Sequence, residues 1–434
     1  MIDRHTGGRG RAKVVGMVTF QQLKAAKPAT FATAADDWLK LAKEAETAAE
    51  NLYERGGNAL GEQWSDTLGE KAGGHCRKIA QDFQAAGMAI RGVVTTLDGL
   101  ATALAAAKRN LESAVAFATE GGLEVGGDGK VTVPSGSSDP KAEERAKRAG
   151  WLIWDAVNDA TKIDEDAAAS LKRLIQPASI TKLMTQDELA KDILNDEVKK
   201  AGHTGLAMLR QTMPLNADAQ TQAEWWKSLS QDQRKQYLNA APVQLYDMPG
   251  IPDDVKKNLM GNDGLNRIEM IRWAEKHGES GYSDVPGMEN CTNFVSYAMN
   301  EGGMVPHDKT GDKGWNQDHQ GLPKLPFVGS PDQYRQGDAW AAAQNHHDYM
   351  VKNGGESVTV PDARPGDLLY MRNEKGVIHH ASVITAVTPD GEILYTQHNS
   401  NHTNIGLNHR LSHNETRTGA GDVPLVVRPH PNWD

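Results

Sequence analysis

The sequence predicts an α+β multidomain chain. An all-α helical hairpin comes first, then a helical connector, then an α+β domain in which a cysteine-bearing helix packs on an antiparallel sheet. Three observations predict it. Residues 17–120 are Ala-rich, with larger apolar residues near helical spacing. From about Leu265, Gly, Pro, Asn and His become more frequent and β-branched runs appear. Between Asn290 and Gly303 a short amphipathic helix opens on Cys291. These shifts divide the chain into a disordered leader (1–16), the hairpin (17–120), a linker (121–139), the connector (140–264) and the C-terminal domain (265–434).

The leader carries Arg4, Arg9 and Arg11 among glycines and has no apolar stretch, so no Sec-type signal peptide is read. Patterned sequence begins at Met17, which is the alternative start to Met1. The first helix is expected from Pro28 to Tyr53, broken by Gly56-Gly57 and Gly61. The second is expected from Glu62 to Ala118, with Gly87 and Gly92 inside it. Two helices joined by a short turn form an antiparallel pair. Alone, such a pair buries little, so a partner helix pair or self-association is expected. In the linker, Leu123-Glu124-Val125 and Val131-Thr132-Val133 flank Gly126 to Lys130 as a small β-hairpin. Pro140 suits the first turn of the connector, and Thr185-Gln186-Asp187-Glu188 reads as a capping box. Trp225-Trp226 is expected in the core or an interface rather than as a ligand platform.

Composition narrows the function. The formal net charge is −10, which argues against bulk attraction to nucleic acid or an anionic membrane. No run of 18 apolar residues is present, so no membrane span is predicted. The two cysteines, Cys76 and Cys291, lie far apart in segments of different character, and no disulfide framework is read. Histidines crowd the region after residue 340 (His346, His347, His379, His380, His402, His409, His413). Yet no His-Glu-x-x-His or Cys-x-x-Cys spacing occurs, so no metal and no cofactor is predicted.

The chemistry is expected at Cys291. Asn290 is a good N-cap and Gly302-Gly303 a good stop. Cys291, Phe294, Val295 and Ala298 form one stripe, so the sulfur faces the core at a helix N-terminus, where partial positive charge favours thiolate. A thiolate nucleophile needs a base, and the base needs a group to orient it. His380 opens the apolar strand that runs to Thr385 and is the predicted base; His379 faces the other way. Thr388-Pro389-Asp390-Gly391-Glu392 joins this strand to the next. A three-residue loop, Pro389-Asp390-Gly391, suits a type I turn with a left-handed Gly. That register sets His398 opposite Ser382, on the His380 face. A two-residue loop would set Asn399 there instead. His398 is therefore the predicted third member and Asn399 the alternate. Pro365-Gly366-Asp367 reads as a turn feeding a strand, outside the site.

Two resemblances follow from these residues. Asn290-Cys291-Thr292-Asn293-Phe294-Val295-Ser296, Trp340 before a helix, Pro365 through Leu369, His380 through Thr385 and Tyr395-Thr396-Gln397-His398 occur in that order. Asn266-Arg267 and Trp273-Ala274 precede them. Together they resemble the putative amidase domain family, a papain-like group related in layout to the CHAP and NlpC cell-wall hydrolases. The resemblance implies a papain-like fold with Cys291 as nucleophile, His380 as base and His398 as third residue. Glu289-Asn290 departs from the Asp usual before the Cys. At the other end, Trp64 near the helical turn and the start Met17 through Leu23 resemble the WXG-type hairpins of type VII secretion substrates. Here Trp64-Ser65-Asp66 lacks the usual Gly, and the nearest is Gly69. The expected function is a cysteine amidase or peptidase, secreted to the cell exterior or wall by a non-Sec route. It would cut peptidoglycan stem or cross-bridge peptides. The alternatives are a delivered toxin acting on a target protein, with an immunity protein as partner, and an inactive secretion or adhesion module.

Overall fold

The computed structural model describes residues 17–64, 66–174, 201–281, 290–307, 314–316, 336–389, 391–399, 401–407 and 422–430. The expected leader and the capping box at 185–188 lie outside these residues. Helices α1 (Phe20–Ala25) and α2 (Ala29–Asn51) lead into a π-helical segment, Leu52–Asn58, and short α3 (Ala59–Gln63). Helix α4 then runs unbroken through Thr67–Glu120. The strands β1 (Glu124–Val125) and β2 (Val131–Thr132) pair as the small hairpin expected in the linker. Helix α5 (Ala142–Leu174) follows, then α6 (residues 201–211), α7 (Ala219–Ser228), α8 (Gln231–Ala240), α9 (Pro242–Asp247) and α10 (Asp253–Met260).

The glycines of the N-terminal hairpin do something other than break helices. A Cβ at Gly56 would stand 2.9 Å from both Cβ and Sγ of Cys76, and one at Gly57 would stand 2.5 Å from Cγ of Arg77. These glycines let the hairpin tip close, and Arg77 donates to the Gly57 carbonyl at 2.7 Å. Gly87 admits Glu46 in the same way, and the Arg91 guanidinium grips Glu46 from the next turn at 2.5 and 2.6 Å. Gly69 sits in the first turn of α4, where a Cβ would come 1.9 Å from the Trp64 carbonyl oxygen.

Helix α4 is the one described helix long and apolar enough to cross a membrane by composition. Here its C-terminal half is the core of the helical region. Leu100, Ala103, Ala107 and Leu111 pack on Leu152, Ala156, Ala160 and Ile163 of α5 and on Leu206 and Leu209 of α6. The chain's own α5 and α6 thus supply part of the partner surface the hairpin needs. The far end is not so covered: Trp38, Leu41, Tyr53, Trp64, Leu68 and Phe83 remain exposed. Trp225 and Trp226 are buried in the helical core.

Helices α11 (Arg267–His277), α12 (Cys291–Glu301), α13 (Asp338–Ala341) and α14 (Ala343–Lys352) belong to the C-terminal region. Its sheet comprises β3 (Glu356–Val358), β4 (Leu368–Arg372), β5 (Ile378–Val387), β6 (Ile393–Gln397), β7 (His402–Gly406) and β8 (Val423–Arg428). The strand order is β3-β8-β4-β5-β6-β7, antiparallel throughout. One face carries α11, α12 and α14 over Leu368, Tyr370, Ala381 and Val383. The other holds Leu369, Met371, Ile384 and Tyr395. The region is thus a six-stranded antiparallel sheet packed with helices, joined to a mostly helical N-terminal region.

Candidate active site

Asn290 stands at the N-cap position of α12, but its backbone is helical (φ −96°, ψ −4°) and its side chain makes no capping bond. Instead its N–H donates to Oδ1 of Asn399 at 2.7 Å. Cys291, Phe294, Val295 and Ala298 are all buried, with Cys291 only 1% exposed. The Cys291 Sγ lies 3.7 Å from the Thr292 hydroxyl. Gly302 closes the helix on the Ala298 carbonyl, and Gly303 turns away at φ +87°.

The hairpin between β5 and β6 explains where the partner side chains go. Its loop has the expected form: the Thr388 N–H donates to the Glu392 carbonyl at 2.9 Å, and Gly391 is left-handed at φ +88°. Three loop residues separate those two positions. The register then changes within β5. Val387 faces Ile393 and Ala386 faces Leu394, but Ile384 faces Tyr395 and Val383 faces Thr396. Thr385 is the extra residue of a β-bulge. Its hydroxyl is bonded inside the sheet, donating to Oδ1 of Asn404 at 2.6 Å.

This bulge corrects the sequence-derived register. Continuing from Val383 and Thr396, Gln397 comes opposite Ser382, where the loop alone would set His398. Gln397 therefore shares the His380 face, and its Oε1 accepts from Nε2 of His380 at 2.7 Å. Both residues are buried. With the proton on Nε2, Nδ1 is the basic nitrogen of His380. Gln397 was not singled out from sequence; the one signal for it was a Thr inside an apolar strand, able to seat a bulge.

His398 and Asn399 turn toward α12 instead. The His398 ring stacks on Phe294 with centroids 4.3 Å apart, and its Nε2 donates to the His277 carbonyl at 2.9 Å. Asn399 adopts φ +78°, a conformation Asn tolerates, and so reaches the Asn290 N–H. The structure thus joins His398 and Asn399 to the start of the Cys291 helix, and joins His380 to Gln397. Helix α12 packs across β5, the strand that carries His380. His380 pairs with Met371 beside a second irregularity, where Arg372 pairs with Ile378 and His379 is the extra residue. Met371 lies on the face opposite the one α12 covers. His379 itself bonds Asp422 at 2.8 Å.

The surroundings are structural. Burial and the Lys276 charge lower the basicity of His277, against the pull of Glu301. Asp367 is fully buried in the turn that feeds β4; burial raises its pKa, opposed by two bonds from Arg428 at 3.0 and 2.9 Å. Among the described residues, no group of three or more His, Cys, Asp or Glu side chains is placed to hold a metal.

Residues 264–419 match the family described as Putative amidase domain. The match covers the region that contains α11, α12 and most of the sheet, and ties it to amidase activity in general. No curated protein and no solved structure matches the chain.

Proposed function

We propose that this chain is a cysteine-dependent amide hydrolase, with Cys291 as nucleophile, His380 as base and Gln397 as the group that orients His380. The observation that carries the reading is an imidazole–amide pair, with the imidazole's tautomer set, on the strands that the Cys291 helix packs across. Because Met371, the partner of His380, belongs to the other face, the reading requires the irregularity at His379 to turn this pair toward the start of α12. The Cys291 thiolate would attack the carbonyl carbon, forming a C–S bond and a tetrahedral oxyanion. Backbone N–H groups of the first turn of α12 are suited to that charge, because a helix N-terminus leaves such donors outside the helical ladder. The imidazolium would then protonate the departing amine as the C–N bond breaks. Water, deprotonated by the same imidazole, would cleave the thioester to release a carboxylic acid.

The motif order, which resembles that of cell-wall hydrolases, supports stem or cross-bridge peptides of peptidoglycan as substrate. The hairpin, with Gly69 closing on Trp64, supports export by a type VII-like route. Its exposed apolar end supports a helical partner or a second copy there. The test is digestion of purified peptidoglycan by the full chain, read by mass spectrometry of the fragments, with Cys291→Ala as control. A new free amine at one stem position, absent with the variant, is expected. Intact wall with cleavage of a target protein would favour a delivered toxin. No thiol-dependent product on either would sink the enzyme reading.

A second assignment of the base rests on a specific contact. His398 stacks on Phe294, one turn from Cys291, and its Nε2 proton is likewise fixed by a carbonyl. The two histidines are separated by alkylation of Cys291 with iodoacetamide across pH, followed on its own peptide by mass spectrometry. Loss of the low-pH reactive form in His380→Ala, and its retention in His398→Ala, is expected. The reverse pattern would move the role of base to His398.

A further inference from the structure

A cleft of about 330 Å³ opens beside the N-terminal end of α11, between the end of α10 and the turn that feeds β4. It lies away from the proposed site. The other end of α11 is His277, whose carbonyl accepts from His398. An eleven-residue helix spans about 15 Å.

The charge in this cleft runs against that of the molecule. The chain is acidic overall, at −10. Yet the lining holds three formal cations, Lys257, Arg267 and Arg364, together with His430, and a single carboxylate, Asp263. That carboxylate is fully used. It takes both terminal nitrogens of Arg267 at 2.8 and 2.6 Å, and Nδ1 of His430 at 2.9 Å. Although burial opposes it, these bonds hold Asp263 down to about 2, so it is ionised at any working pH.

Arg267 is fixed as well as neutralised. It is buried, it donates to the Pro429 carbonyl at 3.0 Å, and two left-handed glycines fit around it. A Cβ at Gly261 would lie 2.1 Å from its Nη1, and one at Gly366 would lie 2.9 Å from its Cγ. The next carboxylate, Asp367, is occupied by Arg428 and by the Arg364 backbone N–H at 3.0 Å. The Arg364 guanidinium and the Lys257 ammonium are left exposed, and neither has a hydrogen bond or ion pair among the described residues. Burial and the charges of Arg428 and Arg267 lower the basicity of Arg364, outweighing Asp367 and Asp263.

We propose that this cleft binds an oxyanion, a phosphate or a carboxylate group of a small molecule, between Arg364 and Lys257, over the fixed Arg267–Asp263 pair. A guanidinium and an ammonium are the side chains suited to such groups: the fork supplies two parallel donors, the amine a point charge. The volume admits a small molecule rather than an extended polymer. The site does not depend on the amide-hydrolysis reading, and its test needs no turnover.

The test is calorimetric titration of the full chain with sodium phosphate and, separately, with sodium citrate, against sodium chloride at matched ionic strength. Saturable binding of at least one oxyanion, absent with chloride, is expected; phosphate alone would identify a phosphate-bearing ligand and citrate alone a carboxylate-bearing one. Affinity should fall about tenfold or more in Arg364→Gln and in Lys257→Gln. Both positions are exposed, so the melting temperature in chloride should not change. Responses to both oxyanions that match chloride would overturn the site. So would affinity unchanged in both variants.

Discussion

Gln397 decides which nitrogen of His380 carries the proton. Its Oε1 sits 2.7 Å from Nε2, so the imidazole presents Nδ1 as the basic atom. If His380 is the base, removing Gln397 should cost rate rather than fold. Gln397→Ala is expected to lower turnover about tenfold to hundredfold, the range seen when an outer group orienting an imidazole is lost. The pH optimum should shift with it. His398→Ala is expected to behave differently, lowering the melting temperature while turnover stays near that of the native chain, because His398 ties β6 to Phe294 and α11. Cys291→Ala should lose more than about a thousandfold in rate, with unchanged circular dichroism. Rates on a peptidoglycan digest check all three, and equal losses for Gln397 and His398 would remove the distinction between them.

Much of the element scale was legible. The Cys291 helix was marked at both ends by its own residues, and the Pro389-Asp390-Gly391 loop declared its length through a Gly that must be left-handed. The register beyond the loop was not legible. A bulge costs one residue, and in Val383-Ile384-Thr385-Ala386 the polar Thr385 is the only hint of where it is spent; that hint is weak, because the hydroxyl's partner, Asn404 on β7, is remote in sequence. One unseen residue moved Gln397 to the face predicted for His398. The helical glycines were misread for a related reason. Gly56 and Gly57 look like helix breakers in one dimension, yet they admit Cys76 and Arg77 from the facing helix. Gly69 is the sharpest case. Gly69→Ala puts a methyl 1.9 Å from the Trp64 carbonyl, so the hairpin tip must open. Hydrogen exchange should speed up at residues 52–70 while the sheet stays protected; unaltered exchange at the tip would show that the turn relaxes freely.

At the scale of the whole molecule, strongly shifted groups of the two regions are expected to respond to pH in opposite senses. In α5, burial raises Asp159 to about 8, helped by the charge of Asp155, and raises Asp155 to about 6, with Lys162 opposing both. Arg109 from α4 and Tyr237 from α8 lie nearby. A carboxyl whose folded pKa stands above its ordinary 3.8 holds its proton more tightly when folded. Its stabilising contribution is whole below that value and is lost as pH rises through 6 and then 8. His346, beneath the sheet, is the reverse: burial and the His347 charge hold it down to about 3. Its contribution is whole above 6.5 and is lost as pH falls toward 3. The helical region should therefore weaken with alkali and the sheet region with acid. Scanning calorimetry of Asp159→Asn should show a higher melting temperature at pH 8 and a flatter fall between pH 5 and 8. A slope equal to that of the native chain would exclude Asp159 as its source.

The two regions also share material. Ala386 of β5 and Leu394 of β6 belong to the same apolar cluster as Leu100 of α4 and Leu209 of α6. Arg210 of α6 bonds Glu275 of α11, which in turn accepts from Asn404 of β7. The helices are thus a wall of the C-terminal region rather than luggage tied to it. A fragment cut free at residue 264 would carry a greasy scar where that wall stood, and would be expected to cling to its neighbours in solution.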